Sequence, residues 1–475
     1  MRERRQAAPV RGRAPAAPLA CRMADPTARV LAVQRLLRIE HEGAHAARLA
    51  GATRLAGAAS GDGGSAEVSR QAVRTVGGVT RHRRWLDFLI GRFYRGPFER
   101  LDPELLQILR IGAYDLVVRQ TAPHAAINEA VETAKALVHR GAAGLVNGVL
   151  RALDRAQRAG RLPQPDTGDP ADDLAVRYSH PTWAVRRWLA RWGPDATRAF
   201  LEASNRVGRY TLRCTAGAAG VPALLDRLAA LGVGARPARW AEGFVEVDRL
   251  QPVLRGGLIE TGACAVQDQA AGLVVRVLDP QPGDRILDAA AAPGGKAVGA
   301  ALAMDGRGRV VALDVSEAKV RLVRQAAERQ GTAIVETVAA DLTAWDGATQ
   351  GGPPFDRVLV DAPCSGSGVL AKRADLRWRR QPGDLAELAD LQDRLLDAAA
   401  QHVAPGGLLV YSTCSVEPEE NDDRVSAFLE RHAEFRLEPV AGHVPPALAD
   451  GPFYRALPHL HGTDGAFAAR LRRTP

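Results

Sequence analysis

RILDAAAAPGGKAVGAAL, residues 285–302, decides how the chain is read. An apolar run of strand length ends at Asp288, a Pro-Gly-Gly turn follows, and small helix-forming residues begin at once. Strand, tight turn and helix start together bring backbone N–H groups close to a ligand, which is what glycine allows at such a place. The turn does not spell GxGxxG. It is no Walker A loop either, since Ala290 stands where the first glycine belongs and Ala297 where Ser or Thr would. A phosphate cradle is therefore disfavoured, and a ligand with an amino-acid end and a nucleoside fits better.

Around this turn the short β-rich runs RILDA, RVVALDV, IVETVAADL, RVLVDAP and LLVYSTC alternate with helical stretches such as VRLVRQAAERQ and LAELADLQDRLLDAAAQHV. Such alternation indicates βαβ units and a parallel sheet with helices on both faces. Ligands of these sheets bind at the carboxyl ends of the strands, so the residues closing each run become the candidates. Asp314, nineteen residues after Gly295, is spaced to accept hydrogen bonds from both hydroxyls of a ribose. Asp341, closing the third run, suits an adenine amino group. Each acid also suits the plainer task of capping the helix that follows it.

The fourth and fifth runs end in VDAPCSGSG and YSTCSVEPEEN, which puts Cys364 and Cys414 at two strand ends. A buried free cysteine is ordinarily a small hydrophobe. Two of the chain's five cysteines closing strands of one sheet point instead to a shared task. Cytosine C5 is too poor a nucleophile to take a methyl group from a sulfonium donor, but a thiolate adding to C6 turns C5 into an enamine-like carbon that can. An acid at N3 assists that addition, and Asp361 is suitably placed to supply it. These residue types alone do not say which thiol attacks. Glu417, Glu419 and Glu420 are expected in the first turn of the next helix, where its dipole favours acids.

Further from the turn, residues 25–160 carry apolar stripes at spacings of 3 and 4, among them Ile127, Val131, Ala134 and Val138, and predict an all-α bundle. Residues 161–174 are a polar Pro/Asp linker, and 175–262 read as a small α+β module before the α/β domain over 263–475. The first 24 residues, rich in Arg, Ala and Pro, are expected as a disordered leader. A chain of 475 residues exceeds what one core usually organises, in keeping with this division.

Composition narrows the class. The formal net charge is +9, and 59 of the 63 basic residues are arginine, with lysine only at 135, 296, 319 and 372. Such a balance suits a polyanionic partner. The cysteines lie far apart with no CxxC pair, which excludes a disulfide framework or a zinc site built mainly on Cys and favours the reducing cytoplasm. No apolar stretch reaches the ~18 residues of a membrane span.

DAAAAPGGK, DAPCSGSGVL and YSTCSVEPEEN resemble three motifs of the S-adenosylmethionine-dependent RNA cytosine-5 methyltransferases. TAPHAAINEAVETAK and GLVNGVLRAL resemble the NusB-type RNA-binding domain that one branch carries in front, and YSHPTW, VQDQAA and TDGAFAARLRR complete a similarity to the bacterial RsmB (Sun/Fmu) family of 16S ribosomal RNA methyltransferases. The resemblance implies a multidomain protein: a NusB-like all-α bundle, the small α+β module, and a Rossmann-like methyltransferase domain. It implies S-adenosylmethionine as methyl donor, no metal, 16S ribosomal RNA as partner, and a monomer. Ala290, Ala291, Ala292, Pro293, Gly294, Gly295 and Lys296 would hold the methionine part, Asp314 the ribose, Asp341 the adenine edge, and Asp361 the target cytosine next to the donor. Cys414 would be the nucleophile and Cys364 would help release product, whereas DNA cytosine methyltransferases attack with the Pro-Cys thiol.

Departures from the family pattern are local. Ala290 and Ala297 replace the usual Cys and Thr at positions that contribute mainly backbone, and the usual Arg-His-Pro-Asp segment appears as KRADLRWRR. There Lys372, Arg373, Arg377, Arg379 and Arg380 around Trp378 suit RNA phosphates and one stacked base. A solvated loop is the alternative. A different class of reading is an RNA-binding assembly factor with a vestigial methyltransferase domain.

Overall fold

The computed structural model describes residues 27–41, 63–347 and 354–475, so the expected leader over 1–24 lies outside the described residues. The chain divides into two compact units, one ending at Gln164 and one beginning at Pro165.

The first unit is helical: α1 (Ala28–His41), α2 (Gly63–Phe93), α3 (Pro103–Val117), α4 (Pro123–Leu137) and α5 (Arg140–Arg158). Asp102 starts α3 by accepting from the N–H groups of Glu104 and Leu105, and Pro103 takes the first position, where a missing N–H costs nothing. Leu86, Leu89, Ile108, Leu109 and Leu150 form the buried interior. Of the predicted stripe on α4, Ile127 and Ala134 are buried and Val131 and Val138 half-buried. Buried Arg110 joins three helices, donating to Asp87 Oδ1 at 2.6 Å and to Glu40 Oε2 at 2.7 Å. Burial alone would lower its pKa, but the two carboxylates hold it above the ordinary value.

In the second unit, α6 (Pro170–Arg177) and α7 (Thr182–Asn205, bent at Gly193-Pro194) lead into β1 (Tyr210–Cys214), α8 (Val221–Ala230), β2 (Ala235–Pro237), β3 (Phe244–Val247), α9 (Leu250–Arg255) and β4 (Cys264–Val266). The expected linker over 161–174 is thus shorter than the sequence suggested. Asp169 accepts from the Ala171 N–H and Pro170 opens a helix, so the same Pro and Asp that read as linker are a helix start. Strands β1–β4 form an antiparallel sheet in the order β2-β3-β1-β4. Its last strand falls beyond the expected boundary at 262, with Cys264 opposite Cys214.

The large sheet comprises β5 (Arg285–Asp288), β6 (Arg309–Asp314), β7 (Val335–Ala339), β8 (Phe355–Asp361), β9 (Val403–Thr413), β10 (Phe435–Glu438), β11 (Ala449–Asp450), β12 (Phe453–Ala456) and β13 (Ala466–Arg473). Strands β5 to β9 are parallel, in the order β7-β6-β5-β8-β9, and antiparallel β13 then extends the sheet, its outer edge pairing with β12 (and through it β11) near its start and with β10 toward its end. Its helices are α10 (Gln269–Leu278), α11 (Gly295–Ala303), α12 (Glu317–Arg329), α13 (Leu376–Arg379), α14 (Asp384–Ala400), α15 (Asp422–Arg431) and α16 (Pro458–His461). Two apolar clusters, one on Ile286, Val310 and Val410 and the other on Leu287, Val311 and Val358, bury alternate residues of the same strands. The strand order runs outward in both directions from the pair β5 and β8, so the crevice for a ligand lies where Asp288 and Asp361 end. No helix among the described residues is long and apolar enough to cross a membrane.

Candidate active site

The turn after β5 is pinned from below. Ala289 N–H donates to Leu359 O at 2.8 Å and Ala291 N–H to Leu313 O at 2.9 Å, so the turn is fastened to both neighbouring strands. Gly294 has φ of 101°, and a Cβ there would stand 3.1 Å from the Val323 Cα, which explains the glycine. From the small sheet, buried Arg213 donates to the Gly295 carbonyl, to Gln267 Oε1 at 2.8 Å and to Gln330 Oε1 at 2.9 Å. Burial brings its pKa down to about 10. The module in front of the domain thereby helps to shape the turn.

Three strand-end acids meet three different fates. Asp314, 6% exposed, accepts from Lys319 Nζ at 3.2 Å and from the Ser316 N–H at 3.4 Å. Asp341 is exposed, and its Oδ1 accepts from Thr343 N–H at 3.0 Å and Oγ1 at 2.8 Å, bonds that lower its pKa. Its Oδ1 is committed to closing its own turn, and among the described residues no helix follows that turn before β8 for it to cap. Asp361 Oδ2 accepts from Lys296 Nζ at 2.6 Å and Oδ1 from Ser412 Oγ at 2.8 Å. Lys296 is mostly buried, which would lower its pKa, but the Asp361 carboxylate holds it above the ordinary value, with smaller contributions from Asp288 and Cys414.

Sequence reasoning missed Asp288. It is 1% exposed, and among the described residues neither carboxylate oxygen has a hydrogen-bond partner of ordinary geometry. Burial and the neighbouring Asp361 charge push its pKa up to about 7, against the pull of Lys296 and the Ala290 N–H. The signal was available, because Asp288 closes RILDA as Asp314 and Asp361 close their runs.

The two strand-end thiols come together: Cys364 Sγ and Cys414 Sγ are 3.3 Å apart, both half-buried. The Cys364 thiol is held well above its ordinary pKa by the hydrogen bond to Cys414 and by burial. Both loops hang on one buried acid. Glu420 accepts from Ser365 N–H at 2.7 Å, Ser365 Oγ at 2.6 Å, Gln392 Nε2 at 3.2 Å and the Ser415 hydroxyl. Gly368 N–H donates to Cys414 O at 3.0 Å, and a Cβ there would sit 2.7 Å from that oxygen.

The acids after Cys414 are therefore not the first turn of a helix, as the sequence led us to expect. Glu419 and Glu420 lie in a short 3-10 turn, and α15 begins with Asp422 and Asp423. Glu417 accepts from Trp188 Nε1 at 2.9 Å and Glu419 from Arg187 at 2.5 Å, so all three order the thiol loop.

The basic segment after Cys364 also differs from expectation. Arg377 is 3% exposed and donates to the carbonyls of Ser179, Ser204 and Leu370 and to Asn205 Oδ1 at 2.8 Å, so it cannot grip an RNA phosphate. Arg380 donates to Cys364 O at 2.8 Å and Ser365 O at 3.1 Å and braces the thiol loop instead. Trp378 is half-buried, Arg373 is exposed, and Lys372 is held by Asp268 and Asp464.

Comparison with known proteins agrees with this architecture. Family models match in chain order: the NusB family over residues 26–155, the RsmF/B-like ferredoxin-like domain over 180–254, and the 16S rRNA methyltransferase RsmB/F over 275–472. The probable ribosomal RNA small subunit methyltransferase B of Bacillus subtilis is 37% identical over 84% of this chain and 89% of its own. The ribosomal RNA small subunit methyltransferase B of Shigella sonnei is 34% identical over 83% and 88%. Among solved structures, PH0851 is 25% identical with a TM-score of 0.77, covering 95% of this chain and 100% of that one. A methyltransferase homolog from Pyrococcus horikoshii is 28% identical with a TM-score of 0.55, covering 64% and 99%. On the order of its three domains and its identity to these relatives over most of its length, the chain belongs to the RsmB/F family of 16S rRNA methyltransferases.

Proposed function

We propose that this protein transfers the methyl group of S-adenosylmethionine to C5 of a cytosine in 16S ribosomal RNA, through a covalent bond between Cys414 and C6. The observation that carries the reading is the pair of thiols 3.3 Å apart at the ends of adjacent loops, beside the Lys296–Asp361 ion pair. The residues around the β5 turn suit the donor. Asp288 offers a buried carboxyl with no hydrogen-bond partner of ordinary geometry among the described residues, matched to the ammonium of an amino-acid end, and Asp314 and Asp341 offer oxygens to a nucleoside. When bound, the donor supplies an electrophilic methyl group.

The chain's own residues supply the rest. The Lys296 ammonium lies within the electrostatic reach of the Cys414 sulfur, while Cys364, its thiol pKa raised by the hydrogen bond to Cys414 and by burial, keeps its proton. A thiol that keeps its proton suits the partner's role, in keeping with Cys414 as the nucleophile that the family resemblance implies. As the Cys414 sulfur bonds to C6, electron density moves toward N3 and C5. Asp361 directs a proton or hydrogen bond to N3, drawing on the Lys296 ammonium that it holds. After transfer C5 carries both methyl group and proton. A solvent water takes that proton, the ring double bond re-forms as the C6–S bond breaks and its electron pair returns to the Cys414 sulfur, and the protonated Cys364 thiol assists by a hydrogen bond to that departing sulfur. Incubation with labelled S-adenosylmethionine and unmodified 16S RNA should yield 5-methylcytidine on digestion to nucleosides. Donor binding with no label in any RNA would sink this reading and favour an assembly factor.

A further inference from the structure

Beside the thiol loops, and lined by no residue of the donor turn, a cavity of about 260 Å³ opens in the second unit. It lies among the end of α7, the loop carrying Lys372, and the turn through Asp464. Gly368 forms part of its wall and donates to the Cys414 carbonyl at 3.0 Å, so the cavity adjoins the thiol loop. At its rim Arg206 and Arg209 are exposed, Arg206 coming no nearer than 3.8 Å to Glu202. Between them Val207 is 74% exposed, the largest value among the exposed large apolar side chains of the described residues.

The inner side of the cavity is charged. Lys372 donates to Asp268 and, at 2.9 Å, to Asp464 Oδ2, while Thr463 Oγ1 donates to Asp268 Oδ1 at 2.6 Å. Two carboxylates thus share one ammonium, and Asp464 bears the deficit: burial and Asp268 push its pKa up to about 7. A carboxyl in that state accepts from an exocyclic amino group and, when protonated, donates to a ring nitrogen. RNA-specific proteins read unpaired bases in this way, by their edges and by contact with their faces, while cations hold the phosphates.

We propose that this cavity receives the ribonucleotide next to the target cytosine, its phosphate between Arg206 and Arg209, its base against Val207 and its amino edge on Asp464. The inference rests on RNA being the substrate. Lys372, predicted as a phosphate contact, acts here as the ammonium that positions Asp268 and Asp464. The site is a specificity subsite, since an edge contact discriminates among bases and a phosphate contact does not.

The test reads RNA binding without turnover, using labelled single-stranded oligoribonucleotides that differ only in the nucleotides flanking one cytosine. In the double variant Arg206→Gln and Arg209→Gln, the dissociation constant should rise about 10-fold and the log–log salt slope should fall by about 0.7, the share of the one phosphate the two arginines hold on a single strand. Affinity for S-adenosylmethionine should stay unchanged, which checks the fold. Asp464→Asn should reorder the ranking of flanking nucleotides. An unchanged salt slope in the double variant, or an unchanged ranking with Asp464→Asn, overturns the assignment. RNA that binds as described but is never methylated would count against methyl transfer and not against this subsite.

Discussion

Asp288 carries a carboxyl that its buried surroundings hardly accommodate. Its folded pKa of about 7 lies above the ordinary 3.8, so between those values the folded state holds more protons than the unfolded chain. Stability therefore falls as pH rises through that window, by at most about 4 kcal/mol once both states are ionised. Asp288→Asn should raise the apo protein's Tm by several degrees at pH 8 and by much less at pH 5, while weakening S-adenosylmethionine binding at least about 10-fold. Equal gains at both pH values would mean that the charge is not what strains the site. This residue was legible in the sequence by the strand-end rule that picks out Asp314 and Asp361. Arg377 was not, because charge in a sequence carries no information about exposure, and only the fold brings the Ser179 and Ser204 carbonyls to it.

At the scale of elements, the loops after β8 and β9 are held less by their own turns than by the Glu420 carboxylate between them. Glu420→Ala removes the shared acceptor of four donors, leaving the Ser365 N–H without one while Gln392 keeps the Pro363 carbonyl, and should cost on the order of 3 kcal/mol of stability. It should also cut methyl transfer well beyond what partial unfolding explains, with donor affinity retained. If activity tracks the folded fraction alone, the loops do not need this acid. Arg377→Ala should destabilise by a similar ~3 kcal/mol without changing the salt dependence of RNA binding, since its donors serve three carbonyls. A reduced salt slope would restore it as a phosphate contact. The alternation of strands and helices around the donor turn could be read from periodicity. The acids of VEPEEN could not, because an acid near a helix start and an acid buried under a loop look the same until Ser365 and Gln392 arrive from elsewhere in the chain.

For the molecule as a whole, the division into a helical bundle and a catalytic unit followed from periodicity, but the boundaries between segments did not. PDTGDPADD reads as linker by composition, yet its Pro and Asp cap a helix, and β4 joins the small sheet by pairing with β1 across some fifty residues. The central claim concerns two thiols that the fold brings from positions 364 and 414 to 3.3 Å, and one measurement tests it most directly. Each single variant is incubated with S-adenosylmethionine and unmodified 16S RNA and run on a denaturing gel. Cys364→Ser should retain RNA covalently, because the adduct forms and release is impaired, and Cys414→Ser should retain none. An adduct with Cys414→Ser and none with Cys364→Ser would contradict the account.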